Sequence, residues 1–418
     1  MSTETVPIDT AASAGDAHRG SLRVTMLLEN NPYPQDTRVR WEAESLVSAG
    51  HRVEVIAPRG RGQASRERLH GVEVRRFRSL SPGRRGVVAI LLEYVIAAVA
   101  LHVAALRALI GGSTVLHLNN PPDAFFWAGA LFRLAGRPVV FDHHDLVPEL
   151  VSVKFGTGPL VGASRVAERL TFAVASHVLA PNGSYAQTAI ERGGKRAADV
   201  TIVRNGPPAA WTRRPVRTRP GRLDAIRVAY LGTIAPQDGV ADLAEMLAIM
   251  RERRPSVAVT LTVIGDGNGR ARLEAELAKW HVAQAVTITG WVAFEEVPRY
   301  IDDADVCVDP APANALNERS TMIKIAEYLA LGKPVVAYDL LETRRTVANA
   351  AILVKPGDNV GFAEQILRLA ADPGRRAALA RRARERAKEL SWDKSERALL
   401  SAYAGLVAPG RVRTGENG

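Results

Sequence analysis

Cysteine is all but missing from these 418 residues, and Cys307 is the only one. No disulfide can form within such a chain, which fits a reducing cytoplasm. Cys307 sits in the apolar run Ala304-Asp305-Val306-Cys307-Val308, so it reads as a small core residue and not as a redox or metal group. An apolar leader is missing too. Residues 1–21 are small, polar and mildly acidic, without the hydrophobic stretch of a secretory signal, and they read as a disordered tail. Residues 409–418 read the same way. Zinc-finger spacing, basic heptads and an aromatic RNA-binding motif are all absent. That removes the usual nucleic-acid readings despite a net charge of +11. No set of His, Cys and Asp clusters at ligand spacing, so neither a metal nor a cofactor is expected.

What is present is an alternation of short apolar runs and amphipathic stretches. Leu22 to Glu29 is the first run, followed by a proline-rich loop and a helix over Asp36 to Ala49. In that helix Val39, Ala43, Leu46 and Val47 share a face, Asp36 suits the N-cap, and Gly50 stops the helix. Strands are expected at 52–57, 72–77, 115–118, 138–141, 177–180 and 200–203. The alternation then breaks at Pro207, Pro208, Pro215 and Pro220, interspersed with Arg213, Arg214, Arg217 and Arg219, a stretch suited to neither helix nor central strand. It resumes with strands at 227–232, 258–264, 286–289, 306–308, 335–337 and 352–354, a helix from about Ser320 to Leu331, and arginine-rich helices at the end. The pattern predicts an α/β chain of two Rossmann-like, doubly wound parallel-sheet domains facing a central cleft. The domains expected are 22–206 on the acceptor side and 226–385 for the nucleotide, joined by a linker at 207–225. A helix at 386–408 is expected to cross back to the first domain.

Two stretches bear on partners. Arg59, Arg61, Arg66, Arg68, Arg75, Arg76, Arg78, Arg84 and Arg85 meet only Glu67 and Glu73, and read either as solvated loops or as a patch for an anionic partner. Val87 to Ile110 is long and apolar, but Glu93, His102 and Arg107 interrupt it, so a membrane span is disfavoured. It either packs in the core or docks on an anionic membrane surface beside the arginines.

The most informative segment is Asn317-Glu318-Arg319-Ser320-Thr321-Met322-Ile323-Lys324-Ile325-Ala326-Glu327-Tyr328-Leu329, closed by Gly332-Lys333-Pro334 and a buried strand. At about 100° per residue, Ser320, Lys324 and Glu327 gather opposite the stripe Met322, Ile325, Ala326 and Leu329. A hydroxyl, an ammonium and a carboxylate thus meet near a helix start, where free N–H groups favour a phosphate. An exposed face with a Lys324–Glu327 ion pair is the plainer alternative.

This segment resembles the donor-binding signature of retaining GT-B glycosyltransferases, glycosyltransferase family four (group 1 type). The resemblance runs from about Leu22 to Tyr403. Asp36-Thr37-Arg38-Val39 and Gly50-His51-Arg52-Val53 are similar to the family's first helix and second strand. Phe141-Asp142-His143-His144-Asp145 resembles its histidine loop, and Val203-Arg204-Asn205-Gly206, Leu231-Gly232 and Val263-Ile264-Gly265-Asp266-Gly267 follow in the family's order. The resemblance implies transfer, with retention, from a nucleotide-diphosphate sugar. Glu327 would bind the ribose, the backbone of Thr321, Met322 and Ile323 would cradle the diphosphate and sugar, and His144 would stand by the sugar. The loops Gly265-Asp266-Gly267 and Gly290-Trp291-Val292 would lie near the base, Gly232 and Thr233 would also bind the donor, and Asp36, Arg38 and Asp145 would be contacts from the first domain. The acceptor is left open (lipid-linked, a glycan or a small molecule), in cell-surface polysaccharide or glycoconjugate synthesis. Location is expected in the cytoplasm, peripheral on the inner face of the membrane.

Two departures stand out. Arg319 occupies the place of a usual glutamate, with Glu318 one step away, and the loop Gly232 to Gly239 lacks the family's cations. Lys324, Arg319 or Arg38 would then neutralise the leaving group. A nucleotide-sugar epimerase and a catalytically idle binding protein of the same fold remain the rival readings. A nicotinamide dehydrogenase is disfavoured, because the first strand leads into Asn30-Asn31-Pro32 and not a glycine-rich turn.

Overall fold

The computed structural model describes residues 21–78, 87–215 and 224–407, with 87–96 in their backbone alone. Outside these lie nearly all of the first expected tail, the whole of the second, the middle of the expected linker, and Arg84 and Arg85. The strands are β1 (Arg23–Leu27), β2 (Arg52–Pro58), β3 (Arg66–Leu69), β4 (Val72–Phe77), β5 (Val115–Asn119), β6 (Val139–Asp142), β7 (His177–Ala180) and β8 (Val200–Ile202). There follow β9 (Ala225–Leu231), β10 (Ala258–Ile264), β11 (Val286–Ile288), β12 (Val306–Asp309), β13 (Val335–Tyr338) and β14 (Ile352–Val354). The helices begin with α1 (Thr37–Ser48), α2 (Val87–Ile110), α3 (Phe126–Leu134), α4 (Val147–Phe155), α5 (Pro159–Val174), α6 (Gly183–Glu191) and α7 (Ala209–Arg213). They continue with α8 (Leu243–Arg253), α9 (Arg270–Lys279), α10 (Val297–Asp302), α11 (Ile323–Ala330), α12 (Leu341–Val347), α13 (Asn359–Ala371), α14 (Pro373–Leu390) and α15 (Trp392–Val407).

By its internal contacts the chain divides into two compact units. One holds the chain up to Asp142 with Leu170–His177 and the end of α15, and the other holds His143–Arg169 and Val178–Leu399. In the first unit the strand order is β3-β4-β2-β1-β5-β6. All neighbours run parallel except β3 and β4. β1 is central, with Val24 paired to Val53 on one side and Val115 on the other, and Val24, Thr25, Met26 and Leu27 are all buried. Asp36 caps α1 by accepting a hydrogen bond from the Val39 N–H at 3.1 Å, and Gly50, at φ +87°, ends it as expected.

The second unit contains the parallel pair β7–β8 and a sheet ordered β11-β10-β9-β12-β13-β14, parallel in every recorded pairing. Its strands alternate between two cores. Ile226, Val228 and Tyr230 of β9 enter one cluster, and Ala229 and Leu231 enter the other. In β12 and β13, Val306, Val308, Val336 and Tyr338 repeat the first choice, and Cys307, Val335 and Ala337 the second. A sheet apolar on both faces must be covered on both, which is why these strands read as continuous apolar runs. Burial pushes the Cys307 thiol up to about 12, consistent with a core role.

Two expectations need correction. Part of the arginine-rich stretch is not loop but a β-hairpin. β3 and β4 are joined by His70-Gly71, both with positive φ, the backbone that a tight two-residue hairpin demands. Three of its arginines are paired: Arg76, which is buried, with Glu67 at 2.5 Å, Arg68 with Glu73 at 2.8 Å, and Arg75 with Glu54 of β2 at 2.8 Å. The proline-rich stretch after residue 206 also contains a helix, α7, entered from Pro208 and anchored by Trp211. That ring is buried and stacks on Phe294 at 4.8 Å between centroids.

Candidate functional site

β9, β10 and β12 are adjacent and parallel, so their carboxyl ends open on one edge of the second sheet. The loops that leave them are stitched together through backbone. Ile234 N–H donates to the Asp266 carbonyl at 3.0 Å, and Gly269 N–H donates to the Ile234 carbonyl at 2.8 Å. Gly265 has φ +143°, and a Cβ there would fall 2.0 Å from the Gly232 carbonyl oxygen, so both conformation and space require glycine. Gly267 approaches the Ile234 carbonyl in the same way. The Gly265-Asp266-Gly267 segment is therefore docked on the loop after β9 and is more than a free turn. Asp266 turns its carboxylate to the Gly267 N–H at 2.8 Å and to Arg270 at 3.2 Å. Thr233 and Trp291 are exposed beside this edge, whereas Val292 packs into the core.

Lys324 is not a free cation. Its Nζ donates to the Tyr230 hydroxyl at 3.0 Å, to Asp238 Oδ1 at 3.1 Å and to Asp309 Oδ1 at 3.3 Å, and it lies 4.7 Å from the Tyr230 ring centroid. Burial pulls the ammonium's pKa down, but Asp309, Tyr230 and Asp238 outweigh it and hold the group charged, well above the usual lysine range. Asp309 goes the other way: burial raises its pKa, and Lys324 only partly opposes the rise. With two carboxylates around one ammonium, the excess is negative, so Lys324 stays protonated and Asp309 is the weakened acid. The loop without a cation thus brings a carboxylate, Asp238, and α11 supplies the cation that holds it.

α11 begins at Ile323, three residues later than expected, and this moves Ser320 off the helix. Ser320 instead closes a turn, its N–H and hydroxyl both donating to the Leu316 carbonyl, and its oxygen stands 3.3 Å from the Tyr185 hydroxyl. Met322 is the N-cap and offers no side-chain cap, so the first N–H groups of α11 have no side-chain acceptor from it. The helix is buried on most sides, and only Ile323 is exposed. Glu327 is half-buried. Its carboxylate takes no hydrogen bond or ion pair among the described residues, and burial, eased by Lys324, raises its pKa to about 7. A carboxylate kept inside without a partner is the pattern of a ligand-binding group.

Around this helix start the other candidates are spoken for. Glu318 caps α12 with one oxygen, Oε2, which accepts from the Leu341 N–H at 2.8 Å. Arg319 is exposed at its tip and meets Glu149 at 3.4 Å. Asn182 is a residue that sequence reasoning missed. Its Nδ2 donates to the Arg319 carbonyl at 2.8 Å and to Thr321 Oγ1 at 2.9 Å, while its Oδ1 caps α6 through the Tyr185 N–H at 2.9 Å. The signal was an asparagine two residues after β7, directly before a helix start. In the histidine loop, His143 is fully buried with Nε2 3.3 Å from Glu168, while His144 and Asp145 are half-buried.

In the first unit, Asp36 serves α1 as its cap, and Arg38 is buried. Its guanidinium donates to both oxygens of Asp142, at 2.7 and 2.6 Å, and lies 3.2 Å from Glu42. Desolvation is outweighed by these two carboxylates, so Arg38 is held firmly charged. Glu42, His117 and Asp142 have their ligand atoms close enough together to hold a metal ion. The Arg38 cation already pairs with both of those carboxylates, and His117 Nδ1 lies 2.6 Å from the Tyr403 hydroxyl. The trio is read as a buried charge network.

Comparison with known proteins agrees with this geometry. The family described as "Glycosyl transferase 4-like domain" matches residues 35–206, and "Glycosyl transferases group 1" matches 225–372. The chain belongs to the group 1 glycosyltransferases. D-inositol 3-phosphate glycosyltransferase of Salinispora tropica is 33% identical over 195 residues, 44% of this chain and 39% of that protein. The namesake from Salinispora arenicola is 27% identical over 65% of this chain and 64% of its own. The chain thus spans from about two fifths to just under two thirds of these relatives' lengths. Among solved structures, sucrose-phosphate synthase from Thermosynechococcus elongatus superposes with a TM-score of 0.72 at 20% identity. That match covers 93% of this chain and 100% of that one, and identifies the fold of this group 1 glycosyltransferase as GT-B.

Proposed function

We propose that this group 1 glycosyltransferase moves a sugar, with retention, from a nucleoside-diphosphate donor held at the carboxyl edge of the second sheet. The observation that carries the reading is Glu327, a half-buried carboxylate with no hydrogen bond or ion pair among the described residues, beside glycine loops that bring backbone to the same edge. Its oxygens suit ribose hydroxyls, and the start of α11 suits the diphosphate. Lys324 is a positioning residue here, holding Asp238 and the loop after β9 in place. Of the three arginine and lysine candidates for the leaving group, Arg319 is the most accessible: its side chain is 47% exposed, against 9% for Lys324 and 5% for Arg38, and what it would give up is the 3.4 Å ion pair to Glu149. His144 is assigned to the sugar. Solved neighbours include Anabaena HepE in complex with UDP-glucose, so a UDP-sugar is the first donor to test. A lipid-linked or glycan acceptor in glycoconjugate synthesis is the reading pursued, with no cofactor and no metal.

Docking on the inner face of a membrane belongs to the same proposal. Among the described residues no helix is long and apolar enough to cross a bilayer. On α2, Ala97, Leu101, Ala104, Ala105 and Ala108 are buried, while Val99, Val103, Leu106 and Ile110 are exposed. Those four fall within about 60° of arc at about 100° per residue. α2 packs on α3, which exposes Trp127, Leu131 and Leu134 at matching helical spacing. Single exposed apolar residues are ordinary, but two such stripes on packed helices, with Arg107 beside them, suit a lipid surface.

The test is incubation with UDP-, GDP-, ADP- and dTDP-sugars and a glycan or lipid acceptor, reading released nucleoside diphosphate and the anomeric configuration of the product. An inverted product would end the retaining assignment. Donor binding with neither transfer nor hydrolysis would favour the idle binding protein, and an epimer formed from donor alone would favour the epimerase.

A further inference from the structure

A cavity of about 200 Å³ opens at the start of β1 and β2 in the first unit, on the edge opposite the strands' carboxyl ends. Its lining includes Arg23, Arg52, Arg75, Arg107, Glu54 and Glu73. The register explains why they meet. Arg23 is paired with Arg52, Thr25 with Glu54, and Glu54 with Glu73. Alternate residues of a strand share a face, so Arg23, Arg52, Glu54, Glu73 and Arg75 all project from the same side of the sheet. The end of α2, with Arg107, completes the wall.

The charges in this cavity do not cancel. Glu54 is taken by Arg75 at 2.8 Å, and Glu73 by Arg68 at 2.8 Å. Arg23, Arg52 and Arg107 have no carboxylate within 4 Å among the described residues. Like charges directly opposite across paired strands are unfavourable, and Arg23 and Arg52 are such a pair. Gly112, at φ +87°, makes room for one of them: a Cβ there would stand 3.0 Å from Arg23 Nη1. The carbonyl end of α2, which would repel an anion, is covered by Arg137, whose Nη1 donates to the Leu109 carbonyl at 2.9 Å and also to that of Ser113.

We propose that this cavity binds a phosphate group, held by the Arg23, Arg52 and Arg107 guanidiniums. Planar forks of donors match phosphate oxygens two at a time, and an anion between Arg23 and Arg52 converts a repulsion into two attractions. The volume lies below that of ordinary small-molecule pockets, which suits a phosphate monoester or diphosphate and not a whole nucleotide. The site belongs to the first unit, uses none of the residues assigned to the donor, and does not depend on the transferase reading. Its ligand is either a free phosphate or the headgroup phosphate of a lipid, and the exposed Leu106 and Ile110 beside Arg107 make the second source physically accessible.

The experiment uses the full chain, the single variants Arg23→Gln, Arg52→Gln and Arg107→Gln, and the triple variant. Thermal unfolding is followed with inorganic pyrophosphate against sodium chloride of equal ionic strength. Flotation is followed with phosphatidylcholine vesicles, with and without phosphatidic acid. Stabilisation by pyrophosphate that weakens about tenfold in each single variant and vanishes in the triple supports a free phosphate. Flotation that requires phosphatidic acid and vanishes in the triple, without a pyrophosphate effect, supports a lipid phosphate. Without anion, the triple variant should unfold no earlier than the wild type, because a repulsion has been removed. Neither ligand binding, or binding that the triple variant leaves unchanged, overturns the proposal, as does a triple variant that unfolds earlier without anion.

Discussion

Replacing Glu327 by Gln removes a charge that the fold keeps inside at a cost. The carboxyl's pKa is raised from 4.5 to about 7, chiefly by burial. Each unit corresponds to about 1.4 kcal/mol, so the shift amounts to about 3 kcal/mol. Because part of the residue reaches solvent, that figure is an upper bound. The sign follows from proton counting. Between pH 4.5 and 7 the folded chain holds a proton that the unfolded chain has lost. This group's contribution to stability is therefore fully present below 4.5 and is lost as pH rises through 7. Glutamine does not titrate, so at pH 8 the variant should be more stable than the wild type by up to about 3 kcal/mol. At pH 4.5 the two should nearly coincide. Other titrating groups are common to both proteins and cancel in the difference. The assay is urea unfolding of both proteins from pH 4.5 to 8, paired with donor calorimetry. The variant should gain stability and lose donor affinity together, the signature of a residue kept for binding. A wild-type minus variant difference that stays flat across this range would refute the reasoning.

Lys324→Met should cost about 3–5 kcal/mol by leaving Asp238 and Asp309 unpaired, and adding Asp309→Asn should recover part of the loss. An unchanged urea midpoint in the single variant would show that the cluster holds nothing. Arg319→Gln should leave the midpoint within about 0.5 kcal/mol and slow turnover about ten- to a hundredfold, and normal turnover would remove Arg319 from the leaving group. Gly265→Ala should lose about 2–5 kcal/mol, because a Cβ strikes the Gly232 carbonyl in a backbone conformation that alanine resists, and full stability would contradict the close approach. Val99→Ser, Val103→Ser and Ile110→Ser together should reduce co-sedimentation with anionic vesicles at least about tenfold without lowering the melting temperature, and undiminished sedimentation would end the docking proposal.

Strands were legible where their residues form apolar runs, as in the second sheet, which is apolar on both faces, or alternate with polar ones, as in β4. Val72–Phe77, His177–Ala180, Ala258–Ile264 and Ile352–Val354 stand where their apolar or alternating runs placed them. β3 was hidden because Arg66–Leu69 is an exposed edge strand whose charges look like loop, and His70-Gly71 is a fainter hairpin cue than Asn-Gly. The start of α11 was read three residues early, because helical spacing cannot tell a helix from a turn that precedes it, and Ser320 bonds back to Leu316. Lys324 was legible as a charged residue near the donor edge, but not its partners. Tyr230, Asp238 and Asp309 come from three separate segments that only the sheet order brings together. The same holds for Asn182, which reaches Thr321 across 139 positions of chain.

The central claim, that Glu327 binds a nucleoside-diphosphate sugar at the start of α11, is tested most directly by calorimetric titration at pH 8 with the four nucleotide sugars, UDP-glucose first. The wild type should bind one of them, and Glu327→Ala should bind it about 5- to 150-fold more weakly, the equivalent of about 1–3 kcal/mol, while remaining folded. Equal affinity in the two proteins, or a wild type that binds none of the four, would contradict the account.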